Sequence, residues 1–142
     1  MKDFNFIRFI IGVVVMYILG ALMDMLVHNV ILGSTYASLK DIWREDMMDK
    51  MWIMYVLGLF FWIVFVYLYH FFYKGHYKTG WMKGGCYGLI IGLFSAIGMS
   101  YSYVMYPLPL SLAIKWAIFA VIQLIICGIV LSFIYKPKDL KE

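Results

Sequence analysis

Residues 51–73 read MWIMYVLGLFFWIVFVYLYHFFY. Lys50 and Lys74 flank this run, which carries no formal charge, and His70 is its only group that titrates near neutral pH. The run exceeds the ~20 apolar residues that a helix needs to cross the hydrocarbon of a bilayer. Hydrocarbon offers the backbone no hydrogen-bond partners, so a segment crossing it must satisfy its own N–H and C=O groups as a helix. Three further stretches have the same character: residues 9–23, which extend to 32 if Asp24 is tolerated, then 84–106 and 116–135. The composition agrees, with 65% hydrophobic and 14% charged residues in a chain of 142. A water-soluble domain of this size needs more polar surface to cover its core. The sequence therefore predicts an all-α membrane protein, an up-down-up-down bundle of four transmembrane helices. It forms one domain over residues 1–142, with spans near 7–32, 51–73, 82–106 and 109–135.

The charges between the spans are sorted by side. Lys2, Arg8, Lys74, Lys78, Lys83, Lys136, Lys138 and Lys141 fall on one face; Lys40, Arg44 and Lys50 fall on the other, offset by Asp41, Glu45, Asp46 and Asp49. Basic residues stay on the cytoplasmic side, so both termini are expected there. The expected location is the inner membrane of a bacterium. The net charge of +4 is then a topology signal and not one for nucleic acid, because the basic residues are divided among short segments. Trp43, Trp52, Tyr55 and Trp116 near the outer boundary, and Tyr67, Tyr69, Tyr73, Trp81 and Tyr135 near the inner one, suit rings with a polar tip at the two interfaces. The first span is too long, and lacks the small-residue cleavage pattern, for a signal peptide. Cys86 and Cys127 both lie within spans and read as small buried hydrophobes.

The longest polar connection covers residues 33–50. Ser38 precedes Asp41 by three, a capping-box spacing. Leu39, Ile42, Trp43 and Met47 then recur at helical intervals, with charged residues off that stripe. This pattern predicts a short amphipathic helix on the outer surface running into the second span; an irregular loop is the alternative. Pro107 and Pro109 make the outer turn between spans three and four tight. The inner connection, 74–83, is short, basic and suited to anionic headgroups.

Span three carries small residues every fourth position: Gly84, Gly88, Gly92, Ala96 and Ser100. Such a ridge lets another helix approach closely in lipid, either a span of the same chain or one of a second copy. Gly12 and Gly20 in span one suit the same purpose.

Ionisable residues at membrane depth are functional candidates by default. At ~1.5 Å rise per residue, Asp24 lies roughly 24 Å above Arg8 and His28 roughly 30 Å above it. Lys115 lies about 9 Å below the start of span four, so it and Asp24 come to similar heights. Span one neighbours span four in such a bundle, so the sequence predicts an Asp24–Lys115 ion pair. Asp24, His28 and Lys115 would line a polar pocket facing outward, with Asn29 at its rim; a purely structural ion pair is the plainer reading. Gln123 is a neutral polar group near the midplane.

Eight of the eleven methionines (Met23, Met25, Met47, Met48, Met51, Met54, Met99, Met105) fall in the outer half or the outer loop. Thioethers are soft ligands suited to Cu(I), which makes His28, Met47, Met51 and Met54 candidate metal ligands, although methionine is more often packing material. No cofactor is otherwise expected. A bis-histidine haem site is disfavoured because His28 and His70 sit about 30 Å apart by helix rise. No phosphate loop, H-E-x-x-H motif or serine with a base in helical reach occurs, and no catalytic residue is assigned.

LMDMLVH (22–28), IWR (42–44), MWIM (51–54), YGLIIGL (87–93) and YPLPLSLA (106–113) together resemble a family of small, uncharacterised bacterial four-span membrane proteins. The resemblance implies the same bundle and brings no activity with it. The functional expectation is a non-catalytic membrane protein, an accessory or scaffold subunit or a homo-oligomer packing through span three. Its partners would be the lipid bilayer and other membrane subunits or itself. The alternative is a small-solute or Cu(I)-handling protein that uses the Asp/His/Lys/Met pocket. A third reading is an enzyme acting on a lipid or quinone at the outer interface.

Overall fold

The computed structural model describes residues 4–75 and 80–136, apart from the Lys74 side chain. Lys2, Lys78, Lys138 and Lys141, part of the charge pattern above, lie outside the described residues. The described chain is helical: α1 (Phe6–Met25), a π-helical segment (Leu26–Ile31), α2 (Gly33–Ser38), α3 (Met51–Gly75), α4 (Gly80–Met105) and α5 (Leu110–Ile134). Short 3-10 turns occupy Lys40–Ile42 and Met48–Lys50. Four continuous segments are long and apolar enough to cross a membrane: Phe6–Ile31, Met48–Tyr73, Gly80–Met105 and Leu110–Ile134. At 25 or 26 residues each they are about 38 Å long at ~1.5 Å per residue, and they match the expected spans to within a few residues.

Local chemistry sets the ends. Asn5 caps α1 by accepting from the Arg8 N–H at 3.2 Å. Gly80 enters α4 with φ +56°, a left-handed conformation that costs glycine little. Pro109, in extended conformation (φ −60°, ψ 135°), delivers the chain into α5. Lys83 is buried although the sequence assigns it to the inner basic group. Its ammonium donates to the Tyr73 carbonyl at 2.9 Å and lies 4.0 Å from the Tyr73 ring centroid. That carbonyl is among the last of α3, which have no partner within the helix.

Packing is close and antiparallel. A Cβ on Gly84 would fall on the Gly128 carbonyl and one on Gly88 on the Leu124 carbonyl; at Gly92 it would stand 3.0 Å from the Val121 Cα. The ridge predicted on α4 is therefore filled by α5 of the same chain, backbone against backbone. Of the two partners the sequence left open, α5 of the same chain occupies the glycine positions. Ala96 borders an outer-surface groove beside Ala117 and Val121, and Ser100 is exposed, its hydroxyl donating to the Ala96 carbonyl. On α1, Gly20 admits the Trp62 indole of α3, and Gly12 leaves room for Val66 and Leu131. α1 thus touches both α3 and α5.

The main core lies in the half of the bundle that holds the ends of the described chain, around Met16, Phe65, Tyr69, Tyr87, Cys127 and Tyr135. Outward-facing side chains are apolar, as at Phe94 (78% exposed) and Val104 (80%). Such a surface favours association in water and is the ordinary lipid-facing surface of an integral membrane protein.

The outer connection departs from expectation. No single helix runs over residues 38–49. The helical piece comes earlier, at Gly33–Ser38, and the chain turns extended at Trp43 (ψ 149°). Ser38 does not cap a following helix; its hydroxyl donates back to the Thr35 carbonyl at 2.7 Å. The apolar stripe still has a buried destination. Leu39, Ile42 and Trp43 pack with Tyr36 and Trp116 on a second cluster built from Val27, Leu32, Leu108 and Leu112. Met47 is exposed. Beyond the break, Asp46 accepts from Arg44 Nε at 2.9 Å and from Lys50. These two cations hold its carboxyl down at about 2.

Candidate ligand cleft

The site is built where α1 changes pitch. Asp24 stands on the last turn of α1, and the chain then widens into the π-helical segment carrying His28 and Asn29. The Leu32 N–H bonds to the Val27 carbonyl, five residues back, at 2.8 Å. Isolated π turns are uncommon and cluster at functional sites. The chain reverses at Gly33, and α2 brings Tyr36 back over His28. The two rings stack 5.7 Å apart at 15°, and the Tyr36 hydroxyl lies 2.5 Å from His28 Nδ1. Trp116 of α5 donates its indole N–H to the same hydroxyl at 2.7 Å. Burial pushes the Tyr36 phenol up from its ordinary value, so the hydroxyl stays protonated at neutral pH.

Asp24 is held by Gln123 of α5, whose side-chain amide donates to Oδ1 at 3.0 Å and to the Gly20 carbonyl at 3.3 Å. The expected Asp24–Lys115 pair does not form. Lys115 is exposed and lines neither cavity described here. The α1–α5 register explains this. Gly12 meets Leu131 and Gly20 meets Gln123, which puts Lys115 roughly 12 Å beyond Gln123 along α5. Lys115 also lies at the flank of the inward stripe formed by Leu112, Trp116, Ala120 and Gln123.

Two adjoining cavities share Asp24, His28 and Met54. One, about 470 Å³, follows the α1–α3 seam and is also lined by Ala21, Met25 and Met51. The other, about 330 Å³, reaches into the bundle and takes lining from all four long helices, with Met99 and Ser102 of α4 and Gln123 of α5. Together they form one cleft in the half of the bundle that carries the outer connection. Its walls hold a carboxylate, an imidazole, an amide and several thioethers.

Of the expected residues, Asp24, His28, Met51 and Met54 are brought together here. Met47 lies elsewhere, beside Trp43 and Arg44 in a separate cavity of about 270 Å³. Met25 takes its place in the cleft. Sequence reasoning did not assign Met25, Tyr36 or Trp116 to the site. Met25 had only a weak signal, three residues before His28, because the change to π-helical pitch between them alters which face each presents. Tyr36 and Trp116 had none, because a chain reversal of unknown geometry brings them in. No group of three or more His, Cys, Asp or Glu placed to hold a metal ion occurs among the described residues. His70 is remote from the cleft, buried at the inner end with Nδ1 2.8 Å from the Tyr135 hydroxyl.

No protein-family model, curated protein or solved structure matches this chain.

Proposed function

We propose that this integral membrane protein takes a small, positively charged ligand into the cleft between α1, α3 and α5. The observation that carries the reading is Asp24. It is a carboxylate at membrane depth whose bonded partner is the neutral Gln123 amide, beside a cavity of about 470 Å³. Acidic residues at membrane depth characteristically line water-filled cavities or ligand paths and pair with a cation, and a cationic ligand entering the cleft would supply that counter-charge. The charge asymmetry of the sequence supports an orientation in which the cleft faces away from the cytoplasm and the termini face it.

The test is a thermal-unfolding screen of the purified protein in lipid nanodiscs against small organic amines and monovalent metal cations. Ligand at 100 times its dissociation constant stabilises the folded state by about 2.7 kcal/mol. At least one class is expected to raise Tm for the native chain and to lose that effect with Asp24→Asn. A Tm that no cation moves, or an equal shift in Asp24→Asn, contradicts the proposal.

A further inference from the structure

We infer that the cleft is a site for a monovalent soft metal ion, Cu(I), bound by the thioethers of Met25, Met51 and Met54 and by His28 Nε2. The inference rests on the cleft reading above and adds the identity of the ligand. All four side chains line the seam cavity. They come as two pairs, Met51 with Met54 at i, i+3 on one face of α3, and Met25 with His28 across the junction of α1 and the π-helical segment, where both line the same cavity. The two pairs meet across the α1–α3 seam. Met25 and Met54 are 55% and 64% exposed, which leaves their sulfurs reachable.

Donor chemistry and charge select the ion. Thioether sulfur prefers soft cations, and Cu(I) above the oxygen-seeking Na⁺, Mg²⁺ and Ca²⁺. The cleft holds one carboxylate, Asp24. One negative charge offsets one positive charge; a divalent ion would leave a net charge in a low-dielectric setting. The four proposed donors are neutral, so Asp24 is the counter-charge whether or not it touches the metal.

The surroundings of His28 fit a ligating imidazole. A metal-bound histidine usually donates its second ring N–H to a neighbour that fixes the ring. Trp116 Nε1 has a hydrogen and no lone pair to accept with, so the Tyr36 oxygen accepts from it. That oxygen lies 2.5 Å from His28 Nδ1. In the Nδ1–H tautomer His28 donates there, and its Nε2 lone pair is free for a metal. Tyr36 is thereby a positioning residue, held by Trp116.

The test is an anaerobic titration of the full chain in nanodiscs with Cu(I), in competition with a chromophoric Cu(I) chelator. The native chain is expected to bind one equivalent. Met51→Leu, Met54→Leu, Met25→Leu and His28→Ala should each weaken binding by about tenfold or more. Met47→Leu, whose side chain lines a different cavity, should bind as the native chain does. Leucine is close to methionine in volume, and circular dichroism checks that each variant is folded. Copper K-edge absorption of the loaded native protein should show sulfur neighbours and one imidazole; a shell of oxygen and nitrogen alone overturns the assignment even if copper binds. Absence of Cu(I) binding, or binding unaffected by Met51→Leu and Met54→Leu, overturns it too. If organic amines stabilise the native chain but not Asp24→Asn while Cu(I) fails to bind, the metal inference falls alone. If no cation of either kind acts, the cleft reading falls with it.

Discussion

One phenolic oxygen, that of Tyr36, joins three parts of the chain: the π-helical segment through His28, α2 through its own backbone, and α5 through Trp116. Removing a hydroxyl that bonds the exposed His28 and the half-buried Trp116 takes a hydrogen bond from each, and such a loss destabilises by ~0.5–1.5 kcal/mol. Tyr36→Phe and Trp116→Phe are each expected to lower thermal stability in detergent by this order. The double variant should lose less than the sum, because both act on one network; strict additivity would show that the network is not a unit. Burial raises the Tyr36 phenol above its ordinary value of 10.0. The folded state therefore binds the proton more tightly, and its contribution is complete below the unfolded value and declines as pH climbs through the higher folded one. Tryptophan fluorescence of the outer cluster should be constant between about pH 6 and 9 and change above about 10. That change should vanish in Tyr36→Phe. Asp24 and His28 were legible in the sequence as polar groups where apolar ones belong, whereas Tyr36 was not, because an aromatic residue after Gly33 looks like any interfacial ring.

Among the elements, the α4–α5 pair shows most clearly how sequence sets packing. A glycine every fourth residue in α4 removes the side chains from one stripe, and Gly128 does the same on α5, so the two backbones meet. Helix association in lipid draws on such van der Waals contact and not on a hydrophobic drive. Gly88→Ala places a methyl on the Leu124 carbonyl and should destabilise by about 1–3 kcal/mol. Gly98→Ala, where nothing lies within 4 Å, should leave stability unchanged or raise it by up to about 1 kcal/mol. Equal effects of the two would contradict the close approach. The ridge was legible because its period belongs to the helix itself. The partner of Asp24 was not, because counting rise from the membrane boundary gives height but not phase. Gln123 faces α1, and Lys115 lies two turns away at the edge of the stripe. The outer connection escaped for a related reason: its apolar spacing fits a helix, yet the Trp43 ring reaches the Tyr36–Trp116 cluster by a break in the chain, its centroid 5.4 Å from that of Tyr36.

At the scale of the whole molecule, the bundle is uneven. The half near the ends of the described chain is filled by large side chains, among them Phe65, Tyr69, Tyr87 and Tyr135. The opposite half is open along the α1–α3 seam and polar inside. Hydrophobic content announced the four spans, and nothing in that content distinguished a filled end from an open one. That difference arises from which residues face inward once four helices have settled their registers. The central claim is that a polar, water-reachable cleft exists at a depth where the neighbouring surface faces hydrocarbon. Ala21 lines the seam, whereas Leu22, next along the same helix and 54% exposed, lines neither cavity of the cleft. In a background lacking Cys86 and Cys127, membranes opened to reagent on both faces can be treated with a charged, lipid-insoluble maleimide. Ala21→Cys is expected to react at least about tenfold faster than Leu22→Cys, because the reactive thiolate forms where water reaches it. Equal, slow labelling at both positions would mean that no such cleft is present.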